Sequence, residues 1–118
     1  MNADDNRSDE MVTEDEYRRL ALSLPGAAES AHMGHPDFRV GGRIFATLWP
    51  GRHGVVLLTS DEQAMLCAAE PAVFAPVPGG WGKRGSTQVM LAAADGATVE
   101  SALTMAWKRV SAKGRPRR

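Results

Sequence analysis

The chain has 118 residues, 43% hydrophobic and 24% charged, which fits one globular domain whose core needs no cross-link. Its single cysteine, Cys67, excludes an internal disulfide, and no apolar run approaches the roughly 20 residues that span a bilayer. The net charge of zero is unevenly spread: residues 1–16 hold seven of the 14 acids and one of the 14 bases, leaving a basic remainder that permits an anionic partner.

Residues 1–12 are polar and acidic, without apolar periodicity and without the basic, apolar, small-residue order of a signal peptide. They are read as a disordered leader to a cytoplasmic protein. Thr13 and Glu16 have capping-box spacing, Tyr17, Leu20, Ala21 and Leu24 recur at helical spacing, and Pro25-Gly26 stops that helix. A strand is expected around Glu29–Met33. The stretch Phe38–Trp49 reads as a hairpin about Gly41-Gly42, because glycine enters positive φ without steric cost. A tight turn sets Val40 opposite Arg43 and Phe38 opposite Phe45. One face then carries Phe38, Val40, Phe45, Thr47 and Trp49; the other carries Ile44, Ala46 and Leu48, with Arg39 beside Ile44.

Pro50–Gly54 is a turn holding Arg52 and His53, and Val55–Leu58 a short apolar strand. Thr59 or Ser60 caps a second helix, with Ala64, Met65, Ala68 and Ala69 as its buried stripe and Leu66 and Cys67 filling in. Ala72–Val77 reads as a linker or irregular strand under Phe74. Pro78–Gly85 is glycine-rich and carries Trp81, Lys83 and Arg84. Ser86–Ala92 alternates as a strand. Thr98 caps a last helix, with Val99, Leu103, Ala106, Trp107 and Val110 inward, and residues 113–118 form a basic tail. The order α-β-β-β-β-α-β-β-α clusters its strands, so the expected fold is α+β over residues 13–112, a twisted antiparallel sheet with helices packed on it.

Enzyme chemistry finds little here. His32, His35, His53 and Cys67 lack the paired ligand spacing of a zinc site, so no metal is expected. Ser86 follows Gly85 without a G-x-S-x-G elbow, and the 79–85 segment lacks the G-x-x-x-x-G-K-[ST] phosphate loop. No catalytic residue and no cofactor are assigned. The glycine-rich segment reads as a flexible β-wing, with Lys83 and Arg84 for phosphates and Trp81 for stacking, or as a solvated tip with Trp81 folded back. Arg39, Arg43, Arg52, Lys83 and Arg84 could make one basic surface; cations at turns are also simply where charge belongs. An alternative is an apolar groove for a small molecule or a protein, lined by Phe38, Phe45 and Trp49 and closed by Trp81.

Leu24-Pro25-Gly26, then Gly34-His35-Pro36-x-Phe38-x-Val40-x-Gly42-x-Ile44-Phe45-Ala46, resembles the opening of the MmcQ/YjbR family. Ser60-Asp61-Glu62-Gln63 with Ala68-Ala69-Glu70-Pro71-x-Val73-Phe74, Thr87-x-Val89-x-Leu91, and Ala102-Leu103 with Ala106-Trp107 continue the likeness to Lys113. The resemblance implies a CyaY-like, double-wing fold and DNA binding without enzymatic activity. The chain departs from that pattern at Gly79–Ser86, where it is more cationic. The expectation is a weakly sequence-selective DNA-binding protein that contacts phosphates through Arg39, Arg43, Arg52, Lys83 and Arg84, with Trp81 beside them. It is expected to be a monomer off the membrane, with weak dimerisation left open.

Overall fold

Thr13 opens the first helix, α1 (Glu14–Leu22), by accepting a hydrogen bond from the Glu16 amide at 3.0 Å. This satisfies one amide that the helix start leaves unpaired. In the computed structural model residues 12–32 and 34–114 are described. The acidic leader to residue 11, Met33 at the end of the first expected strand, and the tail from residue 115 lie outside the described residues. Val12, assigned to the leader, belongs to the core: it is 3% exposed and its amide donates to the Leu91 carbonyl at 3.1 Å.

After α1 come β1 (Ala27–His32), β2 (His35–Val40), β3 (Arg43–Trp49) and β4 (His53–Leu57). Then follow α2 (Ser60–Ala69), β5 (Phe74–Pro76), a single helical turn α3 (Gly80–Lys83), β6 (Ser86–Val89), a 3₁₀ turn (Leu91–Ala93) and α4 (Gly96–Gly114). The six strands form one antiparallel sheet in the order β1-β2-β3-β4-β6-β5. The α+β expectation therefore holds, with an added turn of helix between the last two strands.

The β2–β3 turn forms as read. Gly41 and Gly42 take φ of 60° and 81°, and Val40 faces Arg43 and Arg39 faces Ile44. Beyond that point the pairing slips: Phe38 lies opposite Ala46, so Phe45 is the extra residue of a β-bulge. The bulge corrects the expected faces. Phe38, Phe45, Ala46 and Leu48 all enter the core cluster, whereas Thr47 and Trp49, outside that cluster, lie on the opposite face. A one-residue slip moves every later side chain across the sheet.

The core lies between the sheet and helices α1 and α4. Tyr17 and Ala21 meet Val99, Ala102, Leu103, Ala106 and Val110 over Phe38, Phe45, Val56 and Val89. Tyr17 packs edge-on to Phe38, ring centroids 6.1 Å apart. Its hydroxyl is shared between the carbonyls of Thr47 and Val55, at 3.1 and 3.2 Å. Gly54 leaves room for that ring, since a Cβ there would lie 2.6 Å from the Tyr17 Cζ.

Helix α2 departs from expectation. Thr59 caps it with a complete capping box to Glu62. Yet Ala64, Met65, Ala68 and Ala69 face solvent, and only Leu66 and Cys67 reach the core, half-buried. Its anchor is polar: Gln63 Nε2 donates to the carbonyls of Gly82 and Ser86 and to Thr87 Oγ1, at 2.9, 3.1 and 3.2 Å. At α4 the cap is Asp95, not Thr98, because the Asp95 carboxylate accepts from the Thr98 amide at 2.8 Å. That bond holds the Asp95 carboxyl below its ordinary range.

Candidate functional site

Strand β3 runs from Arg43 at one end of the sheet to Trp49 at the other, a span of about 20 Å. The sheet register sorts the expected phosphate-contacting residues between these ends. Arg43 stands at the β2–β3 turn. Across the sheet, the Leu58 amide donates to the Gly85 carbonyl and Leu57 faces Ser86, so Lys83 and Arg84 lie at the same end as Arg43. Arg52 sits in the β3–β4 turn, at the far end. Arg39 lies within β2, where its Nε and Nη2 donate to the two carboxylate oxygens of Asp37 at 2.8 and 3.1 Å. That hydrogen bond raises the pKa of the guanidinium, as does the Asp37 charge, while partial burial works against both. The five arginines and lysines thus do not form one basic surface.

What the structure does set at one end of the sheet is Arg43 and, across β4, Trp81, Lys83 and Arg84. All are exposed, and the three cations have no carboxylate within ion-pair distance among the described residues. Arg84 Cζ lies 5.6 Å from the centre of the Trp81 ring, which is 66% exposed. This cation–π contact holds the guanidinium over the indole without neutralising it.

The segment that carries these groups is not a flexible wing. Residues 80–83 close into one helical turn, with Gly82 buried. A Cβ at Gly82 would lie 1.7 Å from the Val77 carbonyl oxygen, and one at Gly85 1.8 Å from that of Leu58. Gly85 also takes φ of 111°. The glycines here allow backbone to touch backbone, and Gln63 fastens the turn to α2.

The expected apolar groove is not assembled. Phe38 and Phe45 are fully buried beneath the helices. Trp49 lies on the opposite face near one end of the sheet, and Trp81 projects from the other. Sequence reasoning missed the residues beside Trp49. The register His35↔His32, Trp49↔His53 and Asp37↔Thr47 sets His35, Trp49 and His53 in one row across three strands. The alternation His35, Asp37, Arg39 along β2 was the signal available for it. Burial lowers the pKa of His53, and the neighbouring Arg52 charge adds to this. A shallow cleft of about 420 Å³ lies on the outer side of α4, lined by Ala97, Glu100, Ser101, Thr104, Met105 and Lys108, none of which belongs to either group. Among the described residues no three His, Cys, Asp or Glu side chains could share a metal, and no helix is long and apolar enough to cross a membrane.

A family model described as YjbR matches residues 22–109. No curated protein matches the chain. Among solved structures, the crystal structure of the Deinococcus radiodurans protein DR2400, which carries a DUF419 domain, is similar with a TM-score of 0.74. The likeness covers 91% of this chain and 84% of that one at 19% identity, and it shows a shared fold.

Proposed function

Because the chain belongs to the YjbR family over residues 22–109, we propose that it is a non-enzymatic DNA-binding protein, cytoplasmic and monomeric, with weak sequence selectivity. The observation that carries this reading is the gathering of Arg43, Lys83 and Arg84 at one end of the sheet, exposed and free of ion pairs among the described residues. Unpaired cations on a rigid frame suit phosphate oxygens, whose contacts position a duplex without reading its sequence. Trp81 adds an apolar surface beside them. The rigidity of the 77–86 connection favours binding, because little chain entropy is lost when its cations meet a partner.

Three phosphate contacts set a log–log salt slope of about −3 for duplex affinity. The test is fluorescence anisotropy with a short labelled duplex across a salt series. The K83E/R84E double variant is expected to bind at least tenfold more weakly at low salt and to show a slope shallower by about 2. Unchanged affinity in that variant would remove the basic end from the account. Arg52→Glu serves as the control, since it stands at the far end: it is expected to leave the salt slope nearly unchanged and to differ from the parent only by a long-range effect that fades as salt rises.

A further inference from the structure

The two edges of the sheet differ in how they meet solvent. The β5 edge is three residues long, contains Pro76 and is flanked by Pro71 and Pro78, which blunts it against pairing. The other edge is β1, six residues with no proline, no lysine and no bulge in the pairing with β2. Ala28, Glu29, Ser30 and Ala31 along it are all exposed. A charge on an edge strand normally guards it. Here the charge is Glu29, and Arg18 of α1 offsets it, with Nε 3.0 Å from the carboxylate.

The register fixes which backbone groups of β1 are open. Two residues separate His32 from its partner His35, and Pro36, which has no N–H, lies opposite Ala31. The hydrogen-bonded pairs are therefore His32↔His35, Ser30↔Asp37 and Ala28↔Arg39. Ala27, Glu29 and Ala31 turn their N–H and C=O groups to the free side. The Ala27 amide is taken there by the Leu24 carbonyl at 3.0 Å. The amides and carbonyls of Glu29 and Ala31 have no partner among the described residues. Leu22 follows Arg18 by one helical turn, so this leucine, 38% exposed, shares the face of α1 that reaches over β1.

We infer that β1 is a docking edge for a second copy of this chain, whose own β1 pairs with it antiparallel about a two-fold axis at Ser30. In that register Glu29 of each copy lies opposite Ala31 of the other. Each such pair exchanges both of its N–H···O bonds, and no two glutamates meet. A register with Glu29 opposite itself would set like charges together. A foreign peptide on a sheet edge gains its specificity from side-chain pockets beside the strand. The alanines and serine of β1 build none, whereas a second copy brings its own Leu22 to the apolar flank. One strand and one helix flank per copy make a small contact, so the dimer is weak, with Kd on the order of 0.1 mM. At the dilute concentrations of a duplex titration the chain stays the monomer of the preceding reading. The two-fold axis sends the Arg43 ends of the two copies in opposite directions, since Ala27 lies at that end of β1. Pairing therefore adds no second grip on the same duplex.

The test is sedimentation velocity on the full chain without DNA, from about 10 µM to about 1 mM. The parent is expected to pass from monomer to dimer across that range. Ala31→Pro removes an outward N–H that the chain itself does not use and is expected to weaken dimerisation by about tenfold or more. Two variants at the same exposed position keep the result independent of any folding defect. Ala31→Glu, opposite Glu29, should weaken the dimer several-fold, and Ala31→Lys should strengthen it several-fold. By hydrogen exchange, the Glu29 and Ala31 amides should slow as concentration rises, while the Ser30 amide, bonded to β2, should not change. A parent that stays monomeric at about 1 mM, or a dimer indifferent to these substitutions, overturns the inference. Equal weakening by Ala31→Glu and Ala31→Lys overturns the two-fold register. Slow exchange of the Glu29 and Ala31 amides already in the dilute monomer also overturns it, since another segment of the same chain would then occupy the edge. None of these readouts contains DNA, so their failure leaves the duplex reading standing.

Discussion

Tyr17 shows how one side chain can tie a helix to two strands. Its ring was legible in the sequence as part of the α1 apolar stripe. Its hydroxyl was not, because the carbonyls it serves belong to Thr47 and Val55, 30 and 38 residues away and adjacent only once β3 and β4 pair. Burial pushes the phenol pKa well above its usual range, and the hydrogen bond to Val55 only partly offsets that. The unfolded phenol ionises near pH 10, so the contribution of Tyr17 is fully present below about pH 10 and declines as pH rises above it. Tyr17→Phe leaves two buried carbonyls without this donor and is expected to cost about 1–3 kcal/mol at neutral pH, read from denaturant midpoints. It is the only tyrosine in the chain, so the pH-dependent change in absorbance at 295 nm, over the constant background of the three tryptophans, reports it alone. In the folded protein that signal should stay flat past pH 11 and rise only with unfolding. A titration near pH 10 in the folded state would contradict the buried placement.

At the scale of elements, caps and turns were the most legible features and faces the least. Thr13, Thr59 and the Gly41-Gly42 turn formed where local chemistry put them. The bulge at Phe45 was not visible, because an alternating pattern with apolar residues on both faces does not fix its own register. The apolar stripe on α2 misled for a related reason: small residues fit either side of a helix, and Gln63 decided the orientation through hydrogen bonds to Gly82, Ser86 and Thr87. The glycine-rich connection looked flexible in sequence because composition alone cannot distinguish freedom from close packing. Alanine substitution separates the two. Gly82→Ala is expected to cost about 1–3 kcal/mol, since the new methyl meets the Val77 carbonyl at 1.7 Å. Gly80→Ala, two positions earlier in the same turn, meets nothing within 4 Å and should fall within about 0.5 kcal/mol of the parent. Equal and small effects at both positions, measured by thermal melts, would restore the flexible wing.

For the whole molecule the governing fact is a zero net charge with the two signs kept apart along the chain. The acids at the start of α1 have local work: Thr13 and the helix dipole account for Glu14, Asp15 and Glu16 there, and Glu14 also accepts from the Gly51 amide. The acids before residue 11 lie outside the described residues. Residues 2–10 contain four acids and one base, so removing them takes the chain from 0 to +3. If the basic end of the sheet binds polyanions, those acids lower its affinity through the long-range field even without touching it. The field reaches about 30 Å at 0.01 M salt and about 10 Å at 0.1 M. A chain lacking residues 2–10 should therefore bind a duplex several-fold more tightly than the full chain at low salt. The two affinities should converge as salt rises, because screening removes the field before it removes direct phosphate contacts. A constant gain at every salt concentration would point to direct competition by the leader for Arg43, Lys83 and Arg84. No gain at any salt concentration would mean that the charge asymmetry plays no part in binding.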